Sequence, residues 1–216
     1  MIRIDLLVFD LDGTLVDSRT DIVNAVNFML NSLGLKEKNY DRVVSYIGTG
    51  EKDLIRQSLQ DEDEGLLERG LSIFKDYYRN HSADSSKLYP GVKETIEYYK
   101  HKTMIVVTNR TAPNAESTLS ILGIDKYFED LIGGNEDSCL KPSACPLERI
   151  PRRLIRSKDR CMVIGDMAID IEAGRSAGFI TCGVTYGIGK GEDIEKAMPD
   201  YVMDRIDELK EIVARD

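Results

Sequence analysis

The sequence predicts an α/β fold, a doubly wound parallel sheet with an inserted block of α-helices. From Pro90 onward, short apolar runs alternate with stretches of helical periodicity, which is typical of parallel βαβ units. Between the opening apolar run and the next one at residues 104–107 lies far more chain than a crossover requires, and its apolar residues recur at helical spacing. A helical insertion in an alternating α/β core accounts for both observations.

The first strand is predicted at residues 6–9, an unbroken apolar run typical of a strand covered on both faces of a sheet. Asp10 and Asp12 follow it, then Gly13 and Thr14. Because strand side chains repeat every two residues, both carboxylates can leave the strand end on one side, where open parallel sheets bind ligands. Two acids placed there repel each other unless a cation lies between them or one keeps its proton. An ordinary turn is the alternative, since Asp and Gly are common turn residues.

The helical insertion follows these acids directly, so it can cover them. Ser18 or Thr20 can cap its first helix, and further helical stretches follow a glycine-bearing loop at residues 46–50. We assign residues 17–82 to a helical cap domain, and the core domain to residues 1–16 and 83–216.

The core is predicted to alternate helices and strands after the cap. Pro151 should kink or break the helical stretch that contains it. The predicted helices lie at residues 92–100, 114–122, up to about 155, 169–177 and from about 204, and the predicted strands at 104–107, 131–132, 162–164 and 180–184.

Polar or charged side chains also follow each of the next three predicted strands. Thr108 and Asn109 follow one strand and suit phosphate oxygens, Lys141 follows the next and could neutralise a phosphate, and Asp166 and Asp170 follow the third. Each group taken alone has an ordinary explanation, such as a helix cap or a surface turn. Because all of them fall in order at successive strand ends of one sheet edge, we expect them to form one site.

Composition limits the possible partners and the location. The chain carries 29 lysines and arginines against 38 aspartates and glutamates, a formal net charge of -9, which argues against nucleic acid and anionic membranes. No apolar run approaches the ~20 residues that span a bilayer, and the chain enters its first strand without a signal peptide. We therefore expect a cytoplasmic protein.

The number and spacing of the cysteines and histidines do not indicate a metal site. The four cysteines show no CxxC spacing, and Cys161 and Cys182 fall in apolar runs that favour reduced, buried thiols. Two histidines are too few for a multi-histidine zinc site. A hard, oxygen-liganded cation such as Mg²⁺ suits the acids better.

Four motifs carry a family resemblance: DLDGT at 10–14, TN at 108–109, KP at 141–142 and GDxxxD at 165–170. In this order they resemble those of haloacid dehalogenase superfamily phosphatases with a Rossmann-like core and a helical cap, and the likeness covers essentially the whole chain. Within that superfamily the chain is most similar to phosphoglycolate phosphatases, whose cap has a glycine loop similar to the one at 46–50.

The resemblance implies a Mg²⁺-dependent phosphomonoester hydrolase that acts on a small phosphorylated metabolite, as a monomer or homodimer. It implies that Asp10 attacks phosphorus to form an aspartyl phosphate and that Asp12 is the general acid and base. It implies further that the side chains of Asp10 and Asp166 and the backbone carbonyl of Asp12 hold the metal, with Asp170 in support. The phosphoryl oxygens are then held by Thr108, Asn109 and Lys141.

Three other functions stay open at this point. Another small-phosphoester phosphatase, or a sugar-phosphate mutase similar to β-phosphoglucomutase, would use the same aspartate pair. A signalling receiver domain also phosphorylates an aspartate beside Mg²⁺, but it carries no cap.

Substrate choice is expected to lie in the cap, and the glycine-rich segment at 187–191 is expected to be a mobile loop. Arg42, Lys52 and Arg56 are candidates to hold a substrate carboxylate, against the alternative of solvated helix faces.

Overall fold

The computed structural model describes residues 1–61 and 63–215, which form a parallel sheet with helices on both faces and an inserted helical layer. The strands of the chain are β1 (Leu6–Phe9), β2 (Val16–Asp17), β3 (Lys87–Leu88), β4 (Thr103–Val107), β5 (Asp130–Ile132), β6 (Cys161–Gly165), β7 (Ile180–Val184) and β8 (Tyr201–Met203). The helices are α1 (Arg19–Ser32), α2 (Tyr40–Val44), α3 (Glu51–Leu59), α4 (Glu64–His81), α5 (Val92–Tyr98), α6 (Ala112–Ile121), α7 (Cys145–Glu148), α8 (Ala168–Ala177), α9 (Gly191–Ala197) and α10 (Leu209–Ile212).

Six of the strands form one sheet in the order β5-β4-β1-β6-β7-β8, and every neighbouring pair is parallel. The chain builds outward from β1 in both directions, so the predicted doubly wound sheet is confirmed. Phe9 pairs with Val106 on one side and with Ile164 on the other. The carboxyl ends of β1, β4 and β6 therefore meet at one edge, the place where doubly wound folds bind ligands.

Strand β1 is covered on both faces, as its apolar run predicts. Leu7 and Phe9 pack into one buried cluster, whereas Leu6 and Val8 pack into another on the opposite face. Alternation along the strand sends neighbouring side chains to opposite faces, and each face is buried under helices.

Helices α1 to α4 form an inserted layer with a hydrophobic core of its own, as predicted. Its buried members include Val26, Met29, Ile55 and Phe74, and α1 and α4 make the main contact within it. The inserted helical layer thus has the apolar interior that its helical spacing indicates. The domain boundaries at residues 16/17 and 82/83 stay a prediction.

The helix predicted up to about residue 155 is shorter than expected, and Pro151 explains why. Helix α7 ends at Glu148, Pro151 has an extended ψ of 127°, and only a 3-10 turn at Arg152–Leu154 follows. Proline removes a backbone donor and clashes with the preceding turn, so the helix cannot continue through it.

Several short elements carry no periodicity long enough to be recognised in the sequence. They are the antiparallel β2–β3 pair, strand β8 and helix α9. The predicted terminal helix begins with a 3-10 turn at Ile206–Glu208, and only α10 is helical after it. Among the described residues, every helix is too short or too polar to cross a bilayer.

Candidate active site at the carboxyl edge of the sheet

Three carboxylates meet at the edge where β1 and β6 end. Asp10 directly follows β1, Asp166 follows β6, and Asp170 lies in the first turn of α8. One carboxylate oxygen from each lies within 4.8 Å of the others, and all three residues are buried. The sequence predicts this convergence of residues from two strand ends. A donor set made only of carboxylate oxygens suits a hard divalent cation.

Burial and mutual repulsion make this cluster costly in its fully ionised form. Burial raises the pKa of Asp10 well above its usual range, and the charges of Asp170 and Asp166 add to the rise, against the attraction of Lys141. The pKa of Asp166 is raised to about 7, again mainly by burial and then by the charge of Asp170. A bound cation would relieve this repulsion, so the electrostatics favour a metal site here.

Lys141 places its ammonium group between two of the acids. Its Nζ atom donates to Asp10 Oδ1 at 2.6 Å, to Asp170 Oδ1 at 2.6 Å and to the carbonyl of Val107 at 2.9 Å. Burial alone would lower the pKa of Lys141, but the charges of Asp10 and Asp170 raise it above its ordinary value. The lysine is therefore a fixed cation beside Asp10, where the sequence predicts a phosphate-neutralising group.

Asp166 is held in place by groups from two loops. Its Oδ1 accepts from the Thr14 hydroxyl at 3.1 Å, and its Oδ2 accepts from the backbone N–H groups of Ile188 and Gly189 at 2.8 and 2.9 Å. Residues 187–189 belong to the segment expected to be a mobile loop, and no sequence pattern indicates this contact. Gly13 also packs against Asp166, since a Cβ there would lie 2.1 Å from Oδ2.

Thr108 and Asn109 follow β4 and line the same cavity as Asp10, as predicted. Both N–H donors of the Asn109 side chain are used, since Nδ2 donates to the carbonyls of Gly48 and Lys141, and its Oδ1 accepts from the Lys141 N–H. Asn109 therefore stabilises the backbone conformation at Lys141 and forms a hydrogen bond to the inserted layer at Gly48. The hydroxyl of Thr108 accepts from the Arg110 N–H at 3.1 Å and keeps its own proton to donate.

The side chain of Asp12 lies outside the three-carboxylate cluster. Its Oδ2 accepts from Arg110 Nε at 3.0 Å, and its Oδ1 accepts from Arg110 Nη2 and from the Ser18 hydroxyl. Ser18 occupies the predicted N-cap of α1, yet its side chain makes no capping bond and serves Asp12 instead. Sequence reasoning assigned no role to Arg110, although its position directly after Asn109 at a strand end is the signal that could have shown one.

A cavity opens beside these groups, between the sheet edge and the inserted helices. The inserted layer supplies its apolar wall, lined by Ile22, Ile47, Leu54, Phe74 and Tyr78. The layer is tied to the core at the rim, where Glu51 Oε1 accepts from the Thr111 hydroxyl at 2.8 Å and from Asn114 Nδ2 at 2.9 Å. The expectation that the insertion covers the acids agrees with this arrangement.

The three cap cations suggested by the sequence lie elsewhere. Arg42 donates to the Tyr46 hydroxyl at 2.6 Å, and its guanidinium lies 5.2 Å from that ring. Lys52 pairs with Asp137 at 3.0 Å, and Arg56 pairs with Glu64 at 3.0 Å. Arg42, Lys52 and Arg56 do not line the cavity, so the alternative of solvated helix faces fits them better.

The cysteines divide into two pairs. Cys161 and Cys182 are free and buried, as predicted. Cys139 and Cys145 form a disulfide across the segment that contains Lys141. Sequence reasoning missed this bond, because two cysteines six positions apart in a loop follow none of the recognised spacings.

Residues 7–184 match the model of the haloacid dehalogenase-like hydrolase family. A phosphoglycolate phosphatase of Vibrio parahaemolyticus is 36% identical, over 98% of this chain and 96% of its own. One of Aquifex aeolicus is 32% identical, over 96% of each chain. The crystal structure of a predicted phosphoglycolate phosphatase from Haemophilus somnus is similar with a TM-score of 0.91 and 29% identity, covering 98% of this chain and 99% of that one.

Proposed function

Because the chain belongs to the haloacid dehalogenase-like hydrolase family, we propose that it is a phosphatase that hydrolyses 2-phosphoglycolate. Relatives that are 32% and 36% identical over nearly their whole length bear the name of that activity. The observation that carries the proposal is the contact between Asp10 and Lys141, a carboxylate and a cation at 2.6 Å in a buried site. It places a nucleophilic carboxylate next to the positive charge that would neutralise a phosphoryl group.

Asp10 is the nucleophile. Its carboxylate attacks phosphorus, the bond from phosphorus to the ester oxygen breaks, and an aspartyl phosphate forms on the protein. Lys141, in contact with Asp10, and the Thr108 hydroxyl in the same cavity stabilise charge on the phosphoryl oxygens. Phosphoryl transfer depends on positioning and charge neutralisation more than on covalent assistance, and these buried residues supply both.

Asp12 is the general acid and base. It gives a proton to the leaving ester oxygen, and it then takes one from the water that hydrolyses the aspartyl phosphate. Arg110 and Ser18 hold its carboxylate beside the cavity until substrate enters. The two-residue spacing lets both side chains leave the end of β1 on one side, and Asp12 then acts on the leaving oxygen, across phosphorus from the attacking Asp10.

Mg²⁺ is the proposed cofactor, held by the side chains of Asp10 and Asp166 and by the backbone carbonyl of Asp12, with Asp170 in support. The oxygen-only donor set and the raised pKa values of Asp10 and Asp166 support a divalent cation. When bound, it neutralises charge on the carboxylates and on the phosphoryl oxygens.

Residues 17–82 act as the cap over a core made of residues 1–16 and 83–216. The cap wall is apolar, so its closure over the cavity would exclude water during the first step. The site suits a small phosphorylated metabolite, and the negative net charge disfavours nucleic acid and membranes as partners. We propose a cytoplasmic monomer or homodimer.

Phosphate release from a panel of phosphomonoesters, with and without Mg²⁺, tests the proposal. We expect continuous release from 2-phosphoglycolate that requires the metal and is lost in Asp10→Asn. Isomerisation without release would favour a sugar-phosphate mutase, and a single stoichiometric phosphorylation would favour a receiver domain. Equal turnover of the wild type and Asp10→Asn would overturn the nucleophile assignment.

A further inference from the structure

Arg110 is a buried cation in the wall of the active-site cavity, and phosphoryl transfer as described above gives its guanidinium no substrate contact. Its residue exposure is 5%, and it lines the same cavity as Asp10 and Lys141. Its guanidinium contacts both oxygens of Asp12, and its Nη1 donates to the Thr118 hydroxyl at 2.7 Å. Asp12 satisfies this buried charge while it holds these contacts, so Arg110 needs another anion whenever Asp12 gives them up.

The cavity offers two cations among the described residues that line it, Lys141 and Arg110. The three N–H groups of Lys141 are used by Asp10, Asp170 and Val107. Arg110 uses Nε, one N–H of Nη1 and one N–H of Nη2, which leaves one donor on each terminal nitrogen. The remaining cationic donors of the cavity are therefore those of Arg110.

Tyr78 adds a second donor on the same wall. Its ring centroid lies 5.0 Å from the Arg110 guanidinium, and it also lines the cavity. Its hydroxyl is buried and has no hydrogen-bond partner among the described residues. Burial raises the pKa of Tyr78 well above its ordinary value, so the hydroxyl keeps its proton and is a donor. Burying an unpaired hydroxyl is costly, and an incoming acceptor would recover that cost.

The chemistry of the proposed substrate supplies that acceptor. In 2-phosphoglycolate a single methylene separates the carboxylate from the ester oxygen, so the two groups lie within about 4 Å of each other. Asp12 must turn toward the ester oxygen to serve as its acid. Each contact it then gives up frees an N–H of Arg110 close to the substrate carboxylate.

We propose that Arg110, assisted by the Tyr78 hydroxyl, binds the carboxylate of the substrate's leaving group and thereby determines specificity for carboxylate-bearing phosphomonoesters. This inference rests on the proposed function, since it assumes that such an ester is the substrate. The planar guanidinium can hold a carboxylate through two parallel hydrogen bonds, which lysine cannot do. The specificity group therefore lies on the core, next to the phosphate-binding residues, and not among the cap cations.

The test compares 2-phosphoglycolate with ethyl phosphate, in which a methyl group replaces the carboxylate. The measured quantity is the ratio of kcat/KM for the two substrates, so a loss of folded protein cancels. In Arg110→Gln we expect this ratio to fall about 100-fold, mainly through KM for 2-phosphoglycolate, because a charge-assisted hydrogen-bonded contact is lost. Arg79→Gln, which removes an exposed arginine next to Tyr78 on α4, is the matched control and should keep the wild-type ratio.

Arg110→Lys provides the test if Arg110→Gln does not fold. It keeps the charge but loses the two-pronged geometry, so the ratio should fall about 10-fold. An unchanged ratio in the folded Arg110 variants, even with lower activity on both substrates, would overturn the inference while leaving the proposed function intact. A wild-type enzyme that shows no preference for 2-phosphoglycolate over ethyl phosphate would instead count against the proposed substrate.

Discussion

Lys141 shows at the scale of single residues how this site tolerates buried charge. Its ammonium group neutralises Asp10 and Asp170 within hydrogen-bond distance, in a place where each acid alone would be strongly destabilised. The same ammonium group lies where a phosphoryl group would meet Asp10. Stability and chemistry therefore depend on one side chain.

Replacement of Lys141 by methionine should lower both activity and stability. The change leaves Asp10 and Asp170 buried without their cation, so we expect the free energy of unfolding without metal to fall by about 3 kcal/mol. Phosphatase activity should fall at least about 100-fold, since a fixed charge is lost from the transition state. Urea unfolding and phosphate release measure the two effects, with Lys196→Met at an exposed position as control. Normal activity in Lys141→Met would contradict the assigned role.

Gly13 and Gly34 form a matched pair for testing the packing around Asp166. Both have positive φ, 89° and 73°, but a Cβ at Gly13 would lie 2.1 Å from Asp166 Oδ2, whereas none of the described atoms lies within 4 Å of one at Gly34. Alanine at either position costs about 1 kcal/mol of backbone strain. We expect only Gly13→Ala to weaken Mg²⁺ binding, by about 10-fold or more, as measured by calorimetric titration. An equal loss in Gly34→Ala would show that strain alone is responsible.

Metal binding should depend on pH because the cluster binds a proton when it lacks a cation. The pKa of Asp166 is raised to about 7, so below that pH the cation must displace a proton, and above it the carboxylate is already ionised. Apparent affinity for Mg²⁺ should therefore rise from about pH 6 to about pH 8, by up to about 10-fold per unit below the pKa. Mg²⁺ titrations followed by thermal unfolding at several pH values measure this. A flat profile would count against protonation of the cluster.

The contact between α3 and α6 determines, at the scale of elements, how the inserted layer meets the core. Glu51 begins α3, and it accepts hydrogen bonds from Thr111 and Asn114 at the start of α6. Asn109 adds a second link through the carbonyl of Gly48. The layer is thus hydrogen-bonded to the helix that follows Thr108 and Asn109, which couples the position of the layer to the site.

Loss of the Glu51 carboxylate should loosen the cap. In Glu51→Ala we expect KM to rise about 10-fold, since closure must then occur without the three hydrogen bonds that Glu51 accepts. Backbone amides at residues 46–50 and 111–114 should exchange with deuterium faster. Lys52→Ala, the next residue of α3 with an exposed ion pair, is the control. Unchanged exchange in Glu51→Ala would show that these hydrogen bonds do not hold the cap against the core.

Elements of the fold were predictable where periodicity was long or an apolar run was buried on both faces. Strand β1 and helices α1 and α8 are examples, because their patterns follow from local burial. Strand β8 and helix α9 were missed, since three or seven residues with mixed polarity carry too little pattern. The break at Pro151 was predictable because proline acts locally.

At the level of the whole molecule, the sheet topology determines which residues of the site could be predicted from the sequence and which could not. Asp10 and Asp166 directly follow strands, and a parallel sheet brings strand ends together whatever lies between them, whereas Lys141 reaches the same edge from the loop after β5. The pairing of Arg110 with Asp12 joins residues 98 positions apart through side-chain direction alone, which no local pattern encodes. No local pattern encodes the hydrogen bonds that the backbone N–H groups of residues 188 and 189 donate to Asp166 either.

The central claim is that Asp10 becomes covalently phosphorylated, and an Asp12→Asn variant tests it most directly. With acetyl phosphate, whose leaving group needs no proton, the first step should proceed, while hydrolysis should slow because the base is lost. After rapid quenching, mass spectrometry of peptides should find one phosphoryl group on Asp10, and none in the Asp10→Asn, Asp12→Asn double variant. Phosphorylation of another residue, or turnover without any covalent intermediate, would contradict the account.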